Sequence, residues 1–158
     1  MFRLAKHTGL PLNGMLQGIA PATALQTRSA IVSGTAVQID ASGDLEIALT
    51  NVSVAGLLAV TAGAAVNAAG GNEAYTGQND HLPFVPVNKS TLIEADVSGT
   101  LALTTIIPGL LRDIATGGLL ISATVSTNGD FKIMKAGKND GTNATTVFGY
   151  FTDTEDLA

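Results

Sequence analysis

The amino-acid sequence predicts an all-β fold: a compact β-barrel or sandwich of short strands, with an extended N-terminal arm and at most one short helix. Two observations predict it. Between residues 31 and 151 apolar and polar residues alternate in short runs, which is the period of a half-buried strand. Gly, Asn and Asp separate these runs at short intervals, as turns between strands require. A chain of 158 residues is long enough to bury one core.

The composition excludes several classes of protein. With 46% apolar and 13% charged residues, the chain does not have the low hydropathy and high charge of a disordered protein. The absence of cysteine excludes disulfides, thiolate zinc sites and cysteine nucleophiles. A net charge of −5 argues against general nucleic-acid binding, which needs a basic face.

Charge is distributed unevenly along the chain. Residues 1–28 contain three basic residues and no acidic residue, a net charge of +3, whereas the remainder carries −8. Pro11 and Pro21 exclude one long helix in the first part. We therefore predict three parts: an extended N-terminal arm over residues 1–28, a β domain over residues 29–151 and an acidic C-terminal tail over residues 152–158.

The basic arm is suited to docking on an acidic partner or on a neighbouring copy of the chain. The alternative is a solvated terminus without a partner. Its prolines and polar residues interrupt any apolar run, so we interpret it as part of the mature chain and not as a signal peptide. The residues expected to contact a partner are Arg3, Lys6, Leu10, Leu12 and Arg28.

The first half of the β domain begins with a hairpin. Residues 35–40 place Val37 and Ile39 on one face, residues 41–44 supply an Asp/Ser/Gly turn, and residues 45–49 alternate again. Two further short strands are predicted over residues 52–54 and 56–60.

The middle of the chain is less regular. Residues 61–80 are rich in Ala, Gly and Asn and predict an exposed loop. Residues 81–87 contain two prolines and predict an edge strand or an extended entry. No charge occurs between Glu46 and Glu73, but polar residues within that stretch and its acidic flanks argue against a membrane span.

The second half returns to alternation. Ile93, Ala95 and Val97 share one face of a strand, and Phe131 and Ile133 share one face of another, so both sets should line one interior. Turns are predicted over residues 98–100, 128–130 and 140–141, and further strands over residues 101–107, 119–125 and 147–151. Residues 108–116 fit a short helix, and residues 110–114 fit a strand equally well.

Side chains suited to catalysis are scarce. His7 and His81 are the only histidines, and the sequence contains no nucleophile elbow and no phosphate-binding loop. We predict no enzyme activity, no catalytic or metal site and no cofactor.

Two kinds of charged cluster can be explained either as ordinary solvent-exposed residues or as functional sites. The pairs Asp44/Glu46 and Glu94/Asp96 could hold a hard cation or act as acid and base, but solvent-facing strands produce such pairs routinely. A basic run contains Lys132, Lys135 and Lys138. Without interleaved aromatic residues it fits a solvated face better than a nucleic-acid site.

Several strand-and-turn patterns resemble the capsid decoration (cement, or head auxiliary) proteins of tailed bacteriophages. The first are GTAVQIDASGDLE at residues 34–46 and AGLLA at residues 55–59. The later ones are IEADVSG at residues 93–99, PGLLRDI at residues 108–114 and NGDFKI at residues 128–133. Together with the intervening chain these patterns cover roughly residues 30–151.

The resemblance implies a β-barrel that binds the outer surface of an expanded phage head and clamps adjacent subunits of the major capsid protein. It implies an N-terminal arm that reaches onto the capsid lattice, a homo-oligomer such as a trimer, and no catalytic residues. The protein would be made in the host cytoplasm and reside on the virion, with no nucleic-acid or membrane partner.

Two other classes stay open. One is a different virion part, such as a tail or head-fibre base, and the other is a bacterial carbohydrate-binding or adhesion module. Two Tyr and no Trp leave few platforms on which a sugar could stack, which counts against the second.

Overall fold

The computed structural model describes residues 1–6, 30–31, 33–58, 62–64, 84–115 and 117–155. Within these ranges the chain is nearly all β, which confirms the predicted fold class. The strands are β1 (Phe2–Lys6), β2 (Ala30–Ile31), β3 (Ala36–Ile39), β4 (Leu45–Ile47), β5 (Gly56–Leu58), β6 (Ala62–Ala64), β7 (Phe84–Pro86), β8 (Leu92–Ala102), β9 (Leu111–Ile114), β10 (Leu120–Ser126), β11 (Phe131–Ala136) and β12 (Asn143–Phe151). A short 3-10 helix spans Leu103–Thr105.

Five strands form a closed barrel. They follow one another in the order β8, β10, β9, β11 and β12, and β12 returns to pair with β8. The pair β8–β10 is parallel, and the other four neighbouring pairs are antiparallel. Closure leaves these strands without a free edge. The barrel wall therefore presents side chains to its surroundings rather than unpaired main chain.

Strand β8 continues where the sequence predicts a turn. It is 11 residues long and includes the whole of the stretch over residues 98–100. Gly99 has a φ of +89°, which glycine adopts without steric strain. Pairing with β12 is interrupted between Asp96 and Leu101 and then resumes. The predicted turn is wrong because the glycine lets the strand bulge and bend instead of reversing.

The two alternatives for residues 108–116 are also resolved. Strand β9 occupies Leu111–Ile114, so the short helix is wrong and the strand is confirmed. Arg112 and Ile114 are buried while Leu111 and Asp113 are half-buried, which is the period of a strand. Pairing on both sides, with β10 and with β11, outweighs the local helical signal of Pro108.

The first residues of the predicted arm belong to the main sheet. Strand β1 is antiparallel to β8, from Phe2 opposite Ala95 to Lys6 opposite Leu92. Because β12 pairs with the other side of these β8 residues, β1 and β10 lie one after the other along the same side of β8. The remainder of the arm, residues 7–28, lies outside the described residues.

Three phenylalanines occupy the centre of the core. The ring of Phe131 lies 6.0 Å from that of Phe2 and 5.5 Å from that of Phe151. Ile93, Ala95 and Ile133 are buried in the same cluster, and Val97 packs against it, which confirms the shared interior predicted for these two strands.

A second sheet packs on the barrel, with strands in the order β4, β3, β5 and β7. It contains the predicted hairpin: Val37 pairs with Ile47, and the Asp40 carboxylate accepts hydrogen bonds from two backbone amides of the turn. Ala36 and Leu57 join the barrel residues in one hydrophobic cluster. The two sheets therefore share a continuous core.

The start of the predicted acidic tail connects the two sheets. Thr154 forms a bridge with Val54, and the Glu155 carboxylate accepts a hydrogen bond of 3.1 Å from the backbone amide of Ile39. Residues 156–158 of the tail lie outside the described residues.

The irregular middle of the chain is described in part. Within the stretch predicted as a loop, Ala62–Ala64 forms β6 and pairs with β2, and residues 65–80 lie outside the described ranges. Strand β7 is an edge strand of the second sheet, as its prolines predicted. Among the described residues no helix is long and apolar enough to cross a membrane.

Candidate interaction surface

Arg3, a predicted contact residue, is bound within the chain. Its Nη2 donates hydrogen bonds of 2.7 and 2.9 Å to the two oxygens of Asp96, and the Met1 amine donates one of 2.8 Å to the same carboxylate. Burial alone would raise the pKa of Asp96, but these hydrogen bonds and positive charges outweigh it and lower the pKa. Arg3 therefore fastens β1 to β8.

The other predicted contact residues are not brought together in the described part of the chain. The backbone of Lys6 pairs with Leu92 at the end of β1. Leu10, Leu12 and Arg28 lie outside the described residues. The partner contacts expected of the arm therefore stay a prediction.

Three of the four carboxylates in the two pairs predicted from the sequence have hydrogen-bond partners within the chain. The Glu46 carboxylate accepts a hydrogen bond from Gln38, and the Glu94 carboxylate accepts one from Thr146. Asp96 is bound by Arg3, as described above. No group of three or more metal-ligating side chains occurs within the described ranges.

Asp130 and Arg112 are the two charged residues that are buried in the described part of the chain. Asp130 accepts hydrogen bonds from the backbone amides of Asn51, at 2.7 Å, and Ile114, at 3.4 Å. Burial raises its pKa more than these hydrogen bonds lower it, and the charge of Asp113 adds to the rise. The Arg112 side chain is covered, its Nε has no hydrogen-bond partner, and desolvation lowers its pKa.

Three lysines lie exposed on or just beyond β11, on the outside of the barrel. We call Lys132, Lys135 and Lys138 the lysine stripe. Tyr150 of β12 is directly opposite Lys132, and the amine of Lys135 lies 5.0 Å from the centre of the Phe148 ring. A lysine and an aromatic residue are therefore neighbours twice along this hairpin.

Sequence reasoning missed this interleaving because the lysines and the aromatic residues lie on different strands. The turn predicted over residues 140–141 was a signal that could have found it, since folding the chain back there places β12 beside β11. The register also shifts between Ile133 and Lys135, at Met134. That single residue decides which aromatic residue faces which lysine.

A shallow groove of about 640 Å³ lies beside the first lysine of the stripe. We call it the barrel groove; its lining residues are Lys89, Gly109, Leu111, Lys132, Met134, Tyr150, Phe151 and Thr152. Its lining combines two amines with the apolar side chains of Leu111 and Met134. At one end the Lys89 amine lies 3.4 Å from an oxygen of Asp153. A hydrogen bond from Ser53, together with Lys89, lowers the pKa of that carboxyl group.

This arrangement is suited to binding. Amines beside an apolar surface attract an anionic and partly apolar ligand. The groove is open, so it would contact one side of an extended ligand rather than enclose a small molecule.

No known family model matches the chain, and a comparison with curated proteins gives no match either.

Proposed function

We propose that the chain is a structural virion protein that binds the outer surface of a tailed-phage head and stabilises it by clamping neighbouring subunits of the major capsid protein. The observation that carries the proposal is the resemblance of residues 30–151 to capsid decoration proteins. The closed barrel is the architecture that the resemblance implies.

Two structural features support a mechanical role. The barrel and the second sheet share one core, so the body can transmit force without relative movement of two independent units. Strand β1 is held by main-chain pairing with β8 and by the ion pair between Arg3 and Asp96. Whatever residues 7–28 contact is therefore tied to the barrel through a strand anchored in its core.

Stabilisation of a head would follow from mass action. A protein that binds the assembled shell and not the separated subunits adds about 2.7 kcal/mol per site at a hundredfold excess over its dissociation constant. Distributed over many sites, this free energy opposes rupture of the shell.

Co-sedimentation tests the proposal directly. Heads of the encoding virus that lack this protein are mixed with increasing amounts of it and pelleted. We expect the protein to pellet with the heads up to a fixed ratio, whereas the protein alone stays in the supernatant. Failure to pellet at any ratio contradicts the proposal, and binding to isolated tails instead supports the other virion role.

Thermal rupture of the same heads provides a second measurement. Release of DNA from decorated heads should occur at a higher temperature than release from bare heads. Equal rupture temperatures at saturating protein would contradict a stabilising role.

A further inference from the structure

We propose that the lysine stripe and the barrel groove form a docking surface for an extended acidic segment of a partner protein. If the proposed function is correct, this segment belongs to the capsid subunit, and only that assignment rests on the proposed function. The segment carries carboxylates for the lysines and at least one apolar side chain for the groove.

The lysine stripe carries positive charge that no neighbouring carboxylate in the described part of the chain balances by an ion pair. The chain has 13 acidic residues and a net charge of −5, so positive surface is exceptional. The ion pairs of the described residues are made by the Met1 amine, Arg3 and Lys89. None of the three stripe lysines forms one. Their amines therefore create a local positive potential on an acidic molecule, which attracts carboxylates.

Apolar side chains line the groove beside these amines. Met134 lies at the register shift of β11 and is 38% exposed, and Leu111 of β9 is half-buried next to it in the groove. Thioether and aliphatic side chains at this position offer apolar contact to an occupant. A purely ionic partner would leave this surface in contact with water.

The pairing of β11 determines how the occupant lies. Because β12 pairs along β11 and β9 pairs with its first residues, Phe131 and Lys132, the main chain at Lys132 offers no edge to a partner strand. Recognition must proceed through side chains. The stripe extends over six residue steps, about 20 Å at the rise of a strand, which an extended segment of about six residues would cover.

A carboxylate is already bound at the end of the groove. Asp153 pairs with Lys89, and Thr152 before it lines the groove. This contact is an example, within the chain, of the acidic ligand that we propose for the stripe.

Single-stranded nucleic acid is the competing occupant and is less well suited. Its phosphates would need a long basic path, whereas beyond about one Debye length, roughly 8 Å at physiological salt, the acidic remainder of the protein opposes a polyanion. Of the two aromatic residues that line the groove, Phe151 has its ring packed in the core, which leaves the half-buried Tyr150 for stacking, whereas nucleic-acid sites stack successive bases.

Peptide binding by the full chain tests the surface without any capsid. The probe is a fluorescent hexapeptide with the sequence Glu-Leu-Glu-Glu-Leu-Glu, measured by anisotropy at low salt. We expect Lys132→Gln/Lys135→Gln to weaken binding at least about tenfold, and Met134→Asp to weaken it similarly. Two control hexapeptides should both bind less well. In one every Glu of the probe is replaced by Gln, and in the other every Leu is replaced by Ser.

The matched control is Ser98→Asp/Thr100→Asp, which lowers the net charge by the same amount at exposed positions of β8. It should change affinity less than twofold if the position of the charge matters. Unchanged thermal melts show that each variant is folded. Equal affinity of the lysine variant and the wild type overturns the proposal, and so does tighter binding of a dT oligonucleotide than of the acidic peptide.

Co-sedimentation separates this inference from the proposed function. If wild-type protein pellets with heads and the lysine variant does not, both are supported. If both pellet equally, the assignment of the acidic segment to the capsid subunit is wrong and the decoration role stands. If neither pellets, the decoration role fails, and the peptide measurement alone decides whether the surface binds acidic segments.

Discussion

The rings of Phe2 and Phe151 lie 5.3 Å apart, so the first strand and the last strand of the described chain meet in the core. Both side chains are almost fully buried. The ion pair between Arg3 and Asp96 lies next to this contact along β1 and fixes the strand from its polar side. The beginning of the chain is therefore part of the body of the protein.

The first prediction concerns this contact. Replacing Phe2 with Ala should cost about 3–5 kcal/mol of unfolding free energy, because the cavity lies in the middle of the core. Phe148→Ala removes the same atoms from a half-buried position on the outside and should cost clearly less. Chemical denaturation of both variants decides. If Phe2→Ala lowers the unfolding free energy as little as Phe148→Ala does, β1 is only loosely attached.

The second prediction concerns Phe131, whose ring lies beside those of Phe2 and Phe151. Phe131→Ala should also cost about 3–5 kcal/mol, since the packed side chains around it, including the Phe2 and Phe151 rings, cannot refill the volume. Its neighbour Lys132 is exposed, so Lys132→Gln should change stability by less than about 0.5 kcal/mol. If thermal melts show that Lys132→Gln destabilises the protein more than Phe131→Ala, the face of β11 assigned to the core is wrong.

The third prediction concerns pH. The pKa of Asp96 is below its ordinary value of 3.8, so its ion pairs contribute stability above that value and lose it as the pH falls through the lowered pKa. Asp96→Asn should therefore destabilise the protein near neutral pH, and the difference from wild type should vanish in strong acid. Melting temperatures measured from pH 7 to pH 2 provide the test. A constant difference would contradict an ionic role.

The fourth prediction concerns Asp130, whose pH dependence has the opposite sign. Its pKa is raised, so the fold favours the protonated form, and this contribution is lost as the pH rises through the raised pKa. Asp130→Ala should cost about 1–3 kcal/mol at pH 7, because the buried amides that it binds lose their acceptor. Asp130→Asn keeps one acceptor oxygen and should cost less. An equal loss in both variants would contradict this expectation, because the single acceptor oxygen of Asn would then be of no use to these amides.

The sequence predicted correctly those strands in which the local alternation of apolar and polar residues matches the buried and exposed faces. Val37 and Ile39 alternate around a turn with Asp and Gly, and Phe131 and Ile133 alternate beside a polar neighbour, so face and pairing were readable from nearby residues. Local pattern was insufficient for Phe2, because its partner strand lies about ninety residues later and no periodicity surrounds it. The turn predicted at Gly99 was wrong for a related reason, since glycine permits a turn and a bulge equally.

The interaction surface was predictable only in part. The basic run on β11 was visible in the sequence, but Tyr150 and Phe148 join it only through the register of β12. The position of Met134 in that register depends on a one-residue shift, which is set by packing across the barrel rather than by any local signal.

Pairing of β8 on both sides also bears on how the chain acquires its structure. Its partners include β1, made long before it, and β12, made about fifty residues later. A nascent chain that ends between β8 and β12 cannot close the barrel and must leave one side of β8 unpaired. Contacts so distant in sequence slow folding, and an unpaired strand promotes association between incomplete chains. Rapid completion of synthesis through β12 is thus a condition for a good yield of soluble protein.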